Sequence, residues 1–107
     1  MRLSLCAVLC LAAFSQGASA AERRVVVGDV GCQTKEYLTK LARYVDDNDR
    51  DAFRSGVAAA VKSGMCTLFD EGDVVFETGP SDAPGLVHVR RKGQTTEYWV
   101  NHDSLAK

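Results

Sequence analysis

The sequence predicts one small α+β domain, in which an N-terminal helical hairpin is tied by a disulfide to a small antiparallel sheet. Three observations carry that expectation. The hydrophobic period is helical over about residues 34–64 and changes to short strands and turns from Met65 onward. Two cysteines, Cys32 and Cys66, flank the helical stretch. An apolar leader marks the chain for export, which would carry those cysteines into an oxidising space.

The leader is read as a signal peptide covering residues 1–20. Arg2 supplies a positive start, and Leu3 to Phe14 is apolar apart from Ser4. That run has the length of a signal-peptide core and is too short to span a bilayer. Ala18-Ser19-Ala20 forms a small-residue cleavage site, so the mature chain is expected to begin at Ala21. The alternative is an uncleaved anchor helix. Cys6 and Cys10 would leave with the leader, and Cys32–Cys66 is then the expected disulfide. Free thiols or an intermolecular bridge are the alternatives.

Residues 21–107 are 87 residues, enough for one domain with a small core. Without Arg2 they carry 12 Lys and Arg against 14 Asp and Glu, a net charge of −2. So balanced a chain has no electrostatic basis for binding nucleic acid. No second apolar segment could cross a membrane, so the mature protein is expected to be periplasmic or secreted, without membrane attachment.

In chain order, β-branched Val25-Val26-Val27 reads as a first edge strand or as a flexible lead-in. Gly28 to Cys32 reads as a turn. Thr34 is the expected N-cap of a helix over Lys35–Val45, with Glu36 in its first turn, where a carboxylate suits the helix dipole. Tyr37, Leu38, Leu41, Ala42 and Val45 fall on one apolar face. Asp46-Asp47-Asn48 breaks this helix, and Asp49 caps a second one with Phe53, Val57, Ala60 and Val61 as its apolar face. Lys62 lies in its last turn and Gly64 stops it. The short connection predicts antiparallel neighbours, and Gly56 would let the helices approach closely.

From Met65 the predicted strands are Thr67–Phe69, Val74–Thr78, Leu86–Arg91 and Thr95–Val100. They are separated by turns at Asp70–Asp73 and Lys92–Gln94 and by the loop Gly79–Gly85. Asn101 to Leu105 reads as one tight helical turn.

The pattern Leu68, Gly72, Val74-Val75, Gly85 to Arg90, Gly93-Gln94-Thr95, Tyr98-Trp99-Val100 and Leu105 resembles the C-terminal part of bacterial SH3-like barrels. The resemblance covers residues 68–105 and implies a partial SH3-like barrel that closes on a small strand, a 3₁₀ turn and a last apolar residue. The chain departs from that family where a helical hairpin replaces its first strand and long first loop. It departs again at Tyr98, where the family carries Gly, and at Ser104, where many members carry an aromatic. Gly31-Cys32, Asp51-Ala52-Phe53 and Cys66 ahead of a β half are together similar to small exported bacterial proteins.

Chemical motifs are sparse. Counted from Asp47, the positions where a calcium loop needs Gly and Glu hold Ala52 and Ala58. The acidic run is therefore read as a helix stop and cap. His88 and His102 are too few for a zinc site once both cysteines are paired, so no metal or cofactor is expected. His102, Asp103 and Ser104 are sequence neighbours whose side chains diverge, so they are not read as a triad, and no catalytic set is expected.

Trp99 alternates with Tyr98 and Val100, so it either covers the helical hairpin as core or forms an exposed recognition aromatic. Arg90-Arg91-Lys92 is a basic hairpin tip. Trp99, Arg90, Arg91 and His102 are the candidate binding surface. The expected function is a non-catalytic periplasmic binding or accessory module for cell-wall material (peptidoglycan), which the SH3-like resemblance implies, or for an envelope protein. The alternative is a protein inhibitor or immunity-type factor.

Overall fold

The computed structural model describes residues 22–79 and 85–106. The proposed leader and residues 80–84 of the Gly79–Gly85 loop lie outside the described residues. Among the described residues there are six strands: β1 Glu22–Arg24, β2 Asp29–Cys32, β3 Cys66–Phe69, β4 Val74–Glu77, β5 Leu86–Arg91 and β6 Glu97–Asn101. Two helices, α1 Lys35–Asp46 and α2 Arg50–Ser63, fill the interval between β2 and β3. A 3₁₀ turn at His102–Ser104 follows β6.

Both helices begin and end for local reasons. Thr34 Oγ1 accepts from the Tyr37 amide at 3.1 Å, and Asp49 Oδ1 accepts from the Ala52 amide at 3.1 Å, so each N-terminus has a side-chain cap. Gly64 ends α2. The helices pack closely at Gly56, where an added Cβ would lie 2.9 Å from Leu41 Cδ2. The hairpin expected from the sequence is present.

The sheet is antiparallel throughout, in the order β1-β4-β5-β6-β2-β3. It is curled, because β3 and β4 stand four places apart in that order yet are joined by residues 70–73 alone. Side chains confirm the curl. β5 and β3 would be about 14 Å apart in a flat sheet, at ~4.8 Å per strand. Arg91 of β5 nevertheless donates to Thr67 Oγ1 at 2.8 Å and to the Leu68 carbonyl. Val25 bridges to Leu105 just past the 3₁₀ turn and adds a further tie across the curl.

The curl makes two cores. The inner one contains Val25, Phe69, Val75, Val87, Val89, Tyr98, Val100 and Leu105. Phe69 and Tyr98 meet there edge to face, with ring centroids 5.8 Å apart. The second core lies on the outer face of the sheet, beneath the helices. It contains Val30, Cys32, Leu38, Leu41, Ala60 and Cys66, with Tyr37, Tyr44, Phe53, Val57 and Trp99 packed around it.

Three expectations are corrected. The fold is α+β, but the Cys32–Cys66 disulfide does not staple a helical hairpin to a partial SH3-like barrel. It joins β2 to β3, directly opposite each other with Cα atoms 4.0 Å apart, and the helices are the excursion between the two strands. Residues 28–32 are not simply a turn, because Asp29–Cys32 pairs with β3 along its whole length. Asp and Gly are depleted in strands, which hides β2 in the sequence. Gly31 is nonetheless required in that strand, since a Cβ there would lie 2.5 Å from Phe69 Cε2 and 2.8 Å from Val100 Cγ1. The first strand is Glu22–Arg24 rather than Val25–Val27. Val25 is buried beside it, while Val26 and Val27 are exposed.

Candidate functional site

The four sequence-predicted site residues do not share one face. On β5, Val87 and Val89 point into the inner core, so alternation puts His88 and Arg90 outside and turns Arg91 inward at the rim. Arg91 is occupied there. Its guanidinium lies 4.4 Å from the Phe69 ring centroid and 3.5 Å from Asp73 Oδ2, besides its two hydrogen bonds to β3. Arg90 lies 4.8 Å from the Phe76 ring centroid on the outer face and donates to the Gln94 carbonyl. His102 is half exposed in the 3₁₀ turn, with Nδ1 3.8 Å from Asp103 Oδ1. The Ser104 hydroxyl is buried and donates to Asp29 Oδ2 at 2.8 Å rather than to the histidine two residues before it.

Trp99 sits between the two readings made from the sequence. It is half-buried and packs against the helix-side core. Strand register sets His88 opposite it, and the two rings stack 4.3 Å apart at 9°. Lys35, at the start of α1, holds its ammonium 5.2 Å from the Trp99 centroid. Glu97 Oε1 is 3.4 Å from His88 Nδ1. The outer stripe therefore already carries its own aromatic and charged partners, and a planar ligand stacking on that face of the indole would have to displace His88.

A different surface is open. One cleft of about 320 Å³ is lined by Val30, Leu38, Leu41, Val45, Phe53 and Leu86, with Asp29, Asp46 and Asn101 among its polar members. A second, of about 340 Å³, is lined by Val30, Phe53, Val57, Leu68 and Phe69, with Asp29 and Asp70 among its polar members. Val30 and Phe53 line both, so the clefts meet at Phe53. Val45 is 59% exposed and Leu68 52%, so apolar surface reaches solvent at both ends.

In the sequence Leu38, Leu41, Val45, Phe53 and Val57 read as members of apolar helix faces, Leu68 and Leu86 as strand residues and Val30 as part of a turn. Val45 belongs to the apolar face of α1 but lies in its last turn and stays exposed, while Leu38 and Leu41 earlier on the same face are buried. Leu68 shares a face with Cys66 and opposes the inward Phe69. That pattern could have placed it on the helix side, at the sheet edge. No protein-family model matches the chain, no curated protein matches it, and no solved structure matches it.

Proposed function

We propose that this chain is a non-catalytic binding or accessory module that works outside the cytoplasm and recognises an envelope protein. The carrying observation is the pair of clefts meeting at Phe53, flanked by exposed Val45 and Leu68. Concave apolar surface with a few polar groups at its edge suits a polypeptide partner. The disulfide supports the extracytoplasmic setting, because such bonds persist in oxidising compartments. No described helix is long and apolar enough to cross a membrane. The resemblance of residues 68–105 to segments of bacterial binding modules also supports the reading. An inhibitor or immunity-type factor would be one form of the same activity.

A second reading, recognition of peptidoglycan, is favoured by half-exposed Trp99 on the outer stripe. One pair of experiments separates the two. Mature protein is pelleted with peptidoglycan sacculi at low and moderate salt, beside Trp99→Ala. In parallel, a photo-crosslinking residue at position 45 or position 99 is activated in an envelope extract. The protein-partner reading expects a discrete cross-linked protein from position 45 and no Trp99-dependent pelleting. Salt-tolerant pelleting that requires Trp99, with no cross-link from position 45, would replace it with the cell-wall reading.

A further inference from the structure

A histidine covers one face of the Trp99 indole. His88 lies directly opposite Trp99 across β5 and β6, and its ring stacks on the indole with centroids 4.3 Å apart at 9°. Glu97, on the same face of β6, holds Oε1 3.4 Å from His88 Nδ1. Histidine is the side chain whose charge ordinarily changes between about pH 5 and 8. A charged imidazole here has a carboxylate beside it and an aromatic face against it, and both attract a cation. A neutral one keeps only the contact between the rings.

The neighbouring elements supply the other charges among the described residues. Lys35, at the start of α1, places its ammonium 5.2 Å from the Trp99 centroid. Arg90, two residues along the same face of β5, is turned to the Phe76 ring and the Gln94 carbonyl. On β4, Glu77 is paired with Arg23, and uncharged Thr78 just beyond it donates its amide to the His88 carbonyl at 3.0 Å. The two cations oppose the one close anion, which keeps the covered state from being favoured beyond the reach of a single proton. The backbone need not move. Val87 and Val89 anchor β5 in the inner core on either side of His88, whose side chain is 25% exposed, so rotation about its own bonds uncovers the indole.

We propose that His88 is a proton-operated cover on Trp99, held over the indole by Glu97 when charged and released from it when neutral. In the released state that face of the indole is open to a ring that stacks on tryptophan. In the covered state the imidazole takes the ring's place. The outer stripe therefore accepts a stacking ligand as pH rises through the histidine range and refuses it as pH falls. None of His88, Trp99, Glu97 and Lys35 lines either cleft, so this device stands or falls apart from the protein-partner reading.

The test reads access to the chain's single tryptophan. Acrylamide, a neutral quencher, is titrated into the oxidised mature protein at steps from about pH 5 to about pH 8. Collision rate constants are taken from fluorescence lifetimes, which separates access to the indole from quenching by its own neighbours. The expected constant rises about twofold or more across that range. His88→Phe, which stacks whatever the pH, should hold the low value throughout, and His88→Ala should hold the high value throughout. Glu97→Gln should remove most of the rise, and His102→Ala should keep it. Circular dichroism checks that every variant is folded. A wild-type constant that is flat or falls with pH would overturn the inference, and so would a rise that survives in His88→Ala. A rise unaltered in Glu97→Gln would overturn the role of Glu97 as the group that holds the cover shut.

Discussion

The inner core and the helix-side core lie on opposite faces of the same sheet, yet they are assembled from different stretches of chain. The inner core draws on residues from Val25 to Leu105, nearly the whole described length, and consists of β-branched and aromatic side chains with one leucine. Every fully buried member of the helix-side core lies between Val30 and Cys66. It includes Ala60 and two cysteines, and its margin consists of half-buried residues such as Tyr37, Tyr44, Phe53 and Trp99. One core is closed by non-local strand pairing. The other is a local excursion clamped at its mouth by a covalent bond. A local unit of this kind can open while the rest of the molecule stays folded. It is also the unit that carries the open clefts, so the part able to yield is the part proposed to bind.

The largest expected effect comes from cutting the clamp. Cys32 and Cys66 are 34 positions apart, and the loop-entropy relation puts a bridge of that span at about 4 kcal/mol. Reduction, or Cys66→Ser, should lower the melting temperature sharply. Hydrogen exchange should show α1 and α2 amides losing protection before β5 and β6. Simultaneous loss in both regions would mean that the two cores form one cooperative unit, and an unchanged melt would remove the clamp from the account altogether.

Gly31→Ala tests whether β2 serves both cores. It sits in the local stretch but faces Phe69 and Val100 of the inner core. Overpacking there should cost about 1–3 kcal/mol. The added exchange should appear in β6 as well as in β2, and an effect confined to the helices would sever that link.

Arg91→Met probes the curl itself. It removes the hydrogen bonds to Thr67 and Leu68 and uncovers the β3 edge. A loss of about 1–2 kcal/mol is expected. Concentration-dependent association through the freed edge should also appear in sedimentation velocity. A variant that stays monomeric and equally stable would show that the curl needs no side-chain latch.

The smallest effects belong to the caps. Thr34→Ala and Asp49→Ala should each cost about 1 kcal/mol, read by denaturant midpoint. Because both caps sit in the local unit, inner-strand exchange should stay unchanged.

The local unit was also the more legible one. Thr34, Asp49 and Gly64 announce helix ends through interactions a few residues long, and α1 and α2 follow them closely. The β5 and β6 alternation was equally readable, because Val87, Val89, Tyr98 and Val100 all face one buried side. What the sequence hid depends on distant residues. Gly31 looks like a turn residue until Phe69 and Val100 are known to lie against it. Arg91 looks like a solvated hairpin tip until the curl brings β3 beneath it. Trp99 stayed ambiguous because its strand has a core on each face, so alternation alone cannot say which side is wet. The clefts were missed because an apolar residue at the end of a helix looks the same whether or not something covers it.

The row of residues across β5, β6, β2 and β3 has an optical consequence. His88, Trp99, Cys32 and Cys66 follow one another in register, so the chain's single tryptophan stands directly beside its disulfide, with an imidazole stacked on its other neighbouring strand. Disulfides and protonated imidazoles both quench indole emission. The oxidised protein should therefore be dim and should brighten when the bridge is cut, which gives every redox and unfolding experiment on this molecule an internal lamp that needs no label.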